Sequence, residues 1–433
     1  MKLAVVLVAL CAAVAPAWAA NKVVCYYDSR AYWREGAAKI EPVDLEPSLS
    51  LCTHLVYGFA VVDGNTNRLT PMDDYVDLDT NKGYYRLITS LKARHPGLRV
   101  LLSVGGGADS AGEKDKYLTL LETPEKRAEF VNSAKQLLKH HNFDGLDLAW
   151  QFPALKEKKD RGTLGNVWHK FKKTFTGSSK DEKEEEHRDG FTSLVRELKA
   201  ALRGDGLMLT AAILPHVNST VYYDYRVLAP LLDQVHLMTY DFRTPERSPQ
   251  EADYPAPLYY VHDRKSYQNV DATVRRWLEH GTDGVKIIVG IPTFGRSWKL
   301  NTESGISGVP PVTADGPGDA GTVTKTPGIM AWQETCLLLH NSKVADVPND
   351  RLLRRVGDPS KRLGSYAYRI AKTKDDVGLW VGYEDTESAA YKAAYVKNKG
   401  LGGVAIFDLS MDDPRGVCDG NKFPILRAAK NGL

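Results

Sequence analysis

Short apolar runs rich in β-branched residues recur along the chain, separated by stretches of helical length with one polar face. The runs fall at residues 23–27, 54–60, 99–104, 145–152, 208–214, 234–240, 287–291 and 403–409. Between them, Pro124–His140 sets Phe130, Ala134, Leu137 and Leu138 at helical spacing, and residues 190–202 and 270–280 repeat that pattern. Strands that are apolar throughout, rather than alternating, belong to parallel sheets covered on both faces. Eight such strands interleaved with helices predict an α/β fold, a closed (β/α)8 barrel.

Two stretches break this rhythm. Residues 154–188, after the fourth strand, carry Lys156, Lys158, Lys159, Arg161, Lys170, Lys172 and Lys173, then an acidic run over 181–186. Trp168, Phe171 and Phe175 are interleaved with the basic residues. One reading is a loop that grips an anionic partner. The plainer and preferred one is a solvated loop insertion whose aromatics pin it to the barrel. The second break, residues 298–375, is rich in Gly and Pro at its start and resembles no βα unit. It predicts a small α+β domain inserted after the seventh strand.

Composition narrows the setting. The 433 residues carry a net charge of +3, which offers no argument for a nucleic-acid partner. Lys2, the apolar run 3–14 and the small-residue site Ala17-Trp18-Ala19 form the pattern of a signal peptide over residues 1–20. That run is shorter than the roughly 20 residues needed to cross a bilayer, and no later segment is apolar enough to span. The chain is therefore expected to be secreted and extracellular. Cys11 leaves with the leader, so Cys25, Cys52, Cys336 and Cys418 remain, an even number in an oxidising compartment. Of three pairings, Cys25 with Cys52 is favoured because each stands at the start of a strand-like run, which leaves Cys336 with Cys418. Asn218-Ser219-Thr220 is an N-glycosylation acceptor at Asn218. No residue pattern points to a metal or a cofactor.

The candidate chemistry gathers where barrel strands end, the usual place for such sites. Three clusters fall there: Ser103-Val104-Gly105-Gly106, the stretch Asp144 to Gln151, and Met238-Thr239-Tyr240-Asp241. On a strand, Asp147, Ala149 and Gln151 share one face, and Leu146, Leu148 and Trp150 the other. The first face is where a sugar-cleaving enzyme would carry a row of carboxylates. Here that row ends in a methyl group and an amide.

These residues resemble the chitinases of glycoside hydrolase family 18. The fourth-strand signature of that family, Phe-Asp-Gly-x-Asp-x-Asp-Trp-Glu-Tyr-Pro, is matched at Phe143, Asp144, Gly145, Asp147, Trp150 and Pro153. The patterns over Cys52 to Ala60 and Gly402 to Asp413 are similar too. The resemblance spans residues 21–433, as a TIM barrel of the family 18 type with its inserted domain. It implies that the Glu which protonates the glycosidic oxygen stands at Gln151, and the Asp which orients the substrate's acetamido group at Ala149. An amide has no proton to release near neutral pH, and loss of acid catalysis alone costs on the order of 10²–10⁴ in rate. No catalytic residue is expected; Asp144, Asp147, Ala149 and Gln151 would be vestiges. The sugar platform is altered as well: Phe407 and Gly107 stand where the family has Trp, and Phe294 where it has Tyr. Tyr26, Phe59, Met238, Tyr240, Asp241, Arg296, Trp298 and Phe407 are the candidate glycan-binding residues.

Within that family the chain is most similar to the insect imaginal disc growth factors. Gln151, the charged insertion, and the stretch Met238 to Arg247 carry the likeness. It implies a secreted factor that promotes cell proliferation and motility alongside insulin-like peptides, through a cell-surface receptor. The alternative is a lectin that binds chitin oligosaccharides or other glycans without cutting them.

Overall fold

The computed structural model describes residues 21–107, 109, 115–153, 181–215, 217–339 and 348–433. The expected signal peptide lies outside them, as do residues 154–180 of the charged insertion with all its named lysines and aromatics.

Eight parallel strands close into the expected barrel: β1 (Lys22–Asp28), β2 (His54–Val62), β3 (Arg99–Gly105), β4 (Gly145–Ala149), β5 (Met208–Ile213), β6 (Gln234–Leu237), β7 (Ile287–Pro292) and β8 (Gly403–Phe407). Each pairs with its sequence neighbour, and β1 closes the ring against β8 with Val23 opposite Val404. Alternation along each strand builds two cores. Val24, Val56, Leu101, Ala212, Ile288 and Ala405 fill the barrel's interior. Val23, Tyr57, Val100, Leu146, Leu148 and Trp150 face outward and meet the helices.

The helices cover that outer layer with one apolar stripe each. Pro124–His140 opens with Thr123, whose side chain accepts from Lys126 N at 3.4 Å, and with Pro124 at its first position. It buries Phe130, Val131, Ala134 and Leu138. Glu184–Arg203 buries Phe191, Leu194, Val195, Leu198 and Leu202. Its first turn is Glu184, Glu185 and Glu186, three residues expected in the loop insertion. Carboxylates sit favourably against a helix N-terminus, so this acidic run opens a helix. No helix among the described residues is long and apolar enough to cross a membrane.

Between β7 and β8 the chain builds a five-stranded antiparallel sheet in the order Ile329–Ala331, Phe294–Leu300, Gly378–Tyr383, Ser365–Arg369, Arg354–Val356. The sheet runs from Phe294 to Tyr383, so the bounds 298–375 cut through the strand Phe294–Leu300 and leave out the strand Gly378–Tyr383. The Gly- and Pro-rich segments mark its loops, whereas its strands read as ordinary apolar sequence. Trp298 and Trp380 meet edge to face at 5.6 Å in its core. Trp298 is 0% exposed and donates its indole N–H to the Ser248 carbonyl at 2.8 Å. It is therefore a core residue, and the expectation that it lines a glycan groove is corrected: it points into the sheet's own packing.

Both disulfides join the expected partners. Cys25–Cys52 links β1 to the start of β2, and Cys336–Cys418 fastens the inserted segment to the chain beyond β8.

Candidate functional site

A groove of about 530 Å³ opens at the C-terminal ends of the barrel strands. Tyr26 of β1, Phe59 of β2, Ala149 of β4 and Phe407 of β8 form its base, and Met238, Tyr240 and Asp241 follow β6 along one side. Phe294, Arg296, Val323 to Thr326 and Ile329 of the inserted segment make the opposite wall. Seven of the eight predicted glycan-binding residues thus come together, Trp298 being the exception. Phe407 sits at 5.4 Å from Tyr26, 6.1 Å from Tyr240 and 6.4 Å from Phe59, ring centre to ring centre. A sugar ring laid here would meet aromatic carbon, the usual apolar contact in such pockets.

The glycine pair at the end of β3 lets the base approach β4 closely. Gly105 and Gly106 have φ of +96° and +63°, where a side chain is strained. A Cβ on Gly105 would strike the Ala149 carbonyl, and one on Gly106 the Phe59 ring. Gly106 N donates to Ala149 O at 2.9 Å.

β4 stops at Ala149 rather than running to Phe152, so Gln151 leaves the sheet. Its Nε2 donates to the Gly106 carbonyl, which turns the amide onto the backbone beside the groove. Ala149 presents a methyl group to the base. Asp147 lies beneath it, fully buried. Its carboxylate accepts from Ser103 Oγ at 2.8 Å and from Thr210 Oγ1 at 2.6 Å. Tyr26 Oη, 3.0 Å from Asp147 Oδ2 and 2.6 Å from His236 Nδ1, has one proton to share between them. Burial, and then the neighbouring Asp147, push the Tyr26 phenol far above its ordinary value. Burial pulls His236 down, so it stays neutral. Gln234 continues this column to His54, which burial lowers to about 3. These groups satisfy one another.

Asp144 belongs elsewhere. It sits at the N-terminal end of β4, accepting from Val100 N at 2.7 Å and from Lys92 Nζ at 3.1 Å. The expectation that it survives as part of the reaction site is corrected: it clamps β3 to β4 at the opposite mouth of the barrel.

Two carboxylates line the groove among the described residues, and both are held by arginine. Asp241, at φ +56°, faces Arg296 with bonds of 2.7 and 2.6 Å. Asp28 takes three bonds from the Arg30 guanidinium, at 3.0 and 3.1 Å from Nε and 2.5 Å from Nη2. Fork-to-fork pairing of this kind fixes both partners. Beneath this end lies Asp408, whose Oδ1 accepts from Ser410 N at 2.7 Å while Oδ2 has no partner. Burial pushes its carboxyl up to about 6. Trp33 stands at the rim, 59% exposed, with its indole N–H donated to Asp73 at 2.7 Å. Asp28, Arg30, Trp33 and Arg34 were not singled out from the sequence. Their position at the end of β1 and directly after it was the available signal, since such loops surround the site in barrels of this type. Among the described residues, no group of His, Cys, Asp or Glu is arranged to hold a metal ion.

Comparison with known proteins agrees with this geometry. The family model described as glycosyl hydrolases family 18 matches residues 22–412. The chain is 52% identical to chitinase-like protein Idgf4 of Glossina morsitans morsitans, over 95% of this chain and 93% of that one. It is 46% identical to imaginal disk growth factor 6 of Drosophila melanogaster, over 97% and 95%. Among solved structures it resembles catalytic domain 2 of a group II chitinase from Ostrinia furnacalis, with a TM-score of 0.78, 31% identity and coverage of 95% and 96%. It also resembles human YKL-39, described as a pseudo-chitinase with retained chitooligosaccharide binding, with a TM-score of 0.75, 29% identity and coverage of 96% and 100%. The match along nearly the whole described chain, together with the barrel and the groove, makes this protein a member of glycosyl hydrolase family 18.

Proposed function

We propose that the chain is a secreted, catalytically inactive chitinase-like protein that acts as a growth factor. It would promote cell proliferation and motility with insulin-like peptides, through a cell-surface receptor. The observation that carries the inactivity is the end of β4, where Gln151 is tied to Gly106 and Ala149 offers a methyl group. Neither group can release a proton to a glycosidic oxygen near neutral pH. The growth-factor role rests on likeness to imaginal disk growth factor 6 and the Idgf proteins. The test has two arms. Purified protein should leave chitotetraose intact and raise the proliferation of cultured insect cells given insulin. Hydrolysis would overturn the first claim, and an unchanged growth rate with and without insulin the second.

A second reading adds to the first: the groove binds chitooligosaccharides without cutting them. The open, aromatic-lined cavity supports it, as does the binding described for YKL-39. Calorimetric titration with chitotetraose should give binding that weakens in Tyr240→Ala and Phe407→Ala. Absence of heat in the unmodified protein would sink it.

A further inference from the structure

Beside the groove lies a smaller side chamber, lined by Asn218, Phe242, Tyr267 and Arg276. It adjoins the groove, and Leu214, Pro215 and Met238 line both. Asn218 is also the acceptor of the Asn218-Ser219-Thr220 sequon. Its Oδ1 accepts from Thr220 Oγ1 at 2.6 Å and from Thr220 N at 3.3 Å. These bonds use Oδ1 and leave out Nδ2, the atom to which a sugar is attached.

We propose that the N-linked glycan on Asn218 is a resident ligand of this protein, its inner sugars seated in the side chamber against the end of the groove. The chemistry matches. The first pair of sugars in an N-linked glycan is N-acetylglucosamine joined to N-acetylglucosamine by the linkage found in chitin. A barrel whose groove accepts chitooligosaccharides would therefore carry a fragment of the same ligand on its own Asn218 side chain, one cavity away. Tyr267, 47% exposed at the chamber, supplies an aromatic face for a sugar ring. The chamber is the smaller cavity, about 110 Å³ against 530 Å³, so it holds the root of the glycan and directs the outer sugars towards the groove. A tethered ligand acts at an effective concentration on the order of millimolar. Held there, its outer sugars would lie across the end of the groove and obstruct a free oligosaccharide. This inference rests on the reading that the groove binds such sugars, and the experiment separates the two.

Protein secreted from insect cells and carrying high-mannose glycans would be treated with endoglycosidase H, which cuts between the inner two sugars. Seating predicts release at least about tenfold slower from native than from denatured protein, since a bound tether is withheld from the enzyme. Chitotetraose should bind at least about tenfold more tightly to the Thr220→Ala variant, and to wild-type protein trimmed by long digestion, than to the intact glycoprotein. An intact mass without sugar at Asn218, equal release rates, or equal binding by glycosylated and trimmed forms would each overturn the proposal. If neither form binds chitotetraose, the groove-binding reading fails, while the release rates still decide whether the glycan is seated.

Discussion

Gln151 and Gly106 are joined side chain to backbone, the amide Nε2 donating to the carbonyl oxygen. A carboxylate at 151 would turn a lone pair on that same oxygen, so the turn after β3 and the residue after β4 suit an amide. Gln151→Glu alone is expected to show no turnover of a fluorogenic chitotrioside, because Ala149 offers only a methyl group where the proposed reading needs a carboxylate to hold the acetamido group. It should also destabilise the fold by about 1–3 kcal/mol, the cost of an unsatisfied polar group, measured by urea unfolding. Turnover in the single variant would show that the groove needs no orienting carboxylate.

The buried carboxyl of Asp408 makes stability depend on pH. Its folded pKa of about 6 lies above the unfolded value, so the native state binds its proton more tightly. The native state is thus favoured at low pH, and this advantage fades as pH rises from about 4 through 6. At neutral pH the lost stability amounts to roughly 2–3 kcal/mol. Asp77, buried and raised to about 7, pulls the same way. Asp408→Asn should flatten the change in urea midpoint between pH 4 and 7. An unaltered slope would mean that Asp408 ionises freely in the native protein.

The Cys336–Cys418 bond closes a span of 82 residues across β8. In the chain-entropy view such a closure contributes roughly 4 kcal/mol. A Cys336→Ser, Cys418→Ser double variant should lose stability on that order in chemical unfolding, with the inserted sheet becoming the first region to exchange amide hydrogens. Equal stability would mean that packing alone holds the segment.

Trp33 offers an exposed face at the rim of the groove. If chitotetraose lies along the groove, Trp33→Ala should weaken its binding by about three- to tenfold, the worth of one aromatic contact. The melting temperature should change little. Titration calorimetry and a thermal scan check both halves, and unchanged affinity would place the sugar away from this rim.

The barrel could be read from the sequence because each of its strands is buried on both faces and so stands out as an unbroken apolar run. Strand ends could not. The runs at 145–152 and 234–240 stay apolar past the last ladder bond, since Trp150 and Phe152 still pack after β4 ends at Ala149, and Met238 and Tyr240 after β6 ends at Leu237. Asp147 and Ala149 share a face as strand periodicity requires, while Gln151 lies beyond its reach. Trp298 misled because an aromatic near Arg296 reads alike whether it faces a ligand or a neighbouring tryptophan. Asp28 and Arg30 carry no motif at all; only the folded loop brings their charges to the groove.

Asp147 bears on how lost chemistry is recognised. Ser103, Thr210 and Tyr26 all converge on this one side chain in the dry centre of the barrel. Shortening it to alanine would strand several hydroxyls at once, so architecture alone is reason enough to retain an acid there. An intact innermost aspartate therefore cannot testify to surviving hydrolysis in a barrel of this kind; the positions nearer the mouth, where nothing structural insists on a carboxylate, are the ones that report it.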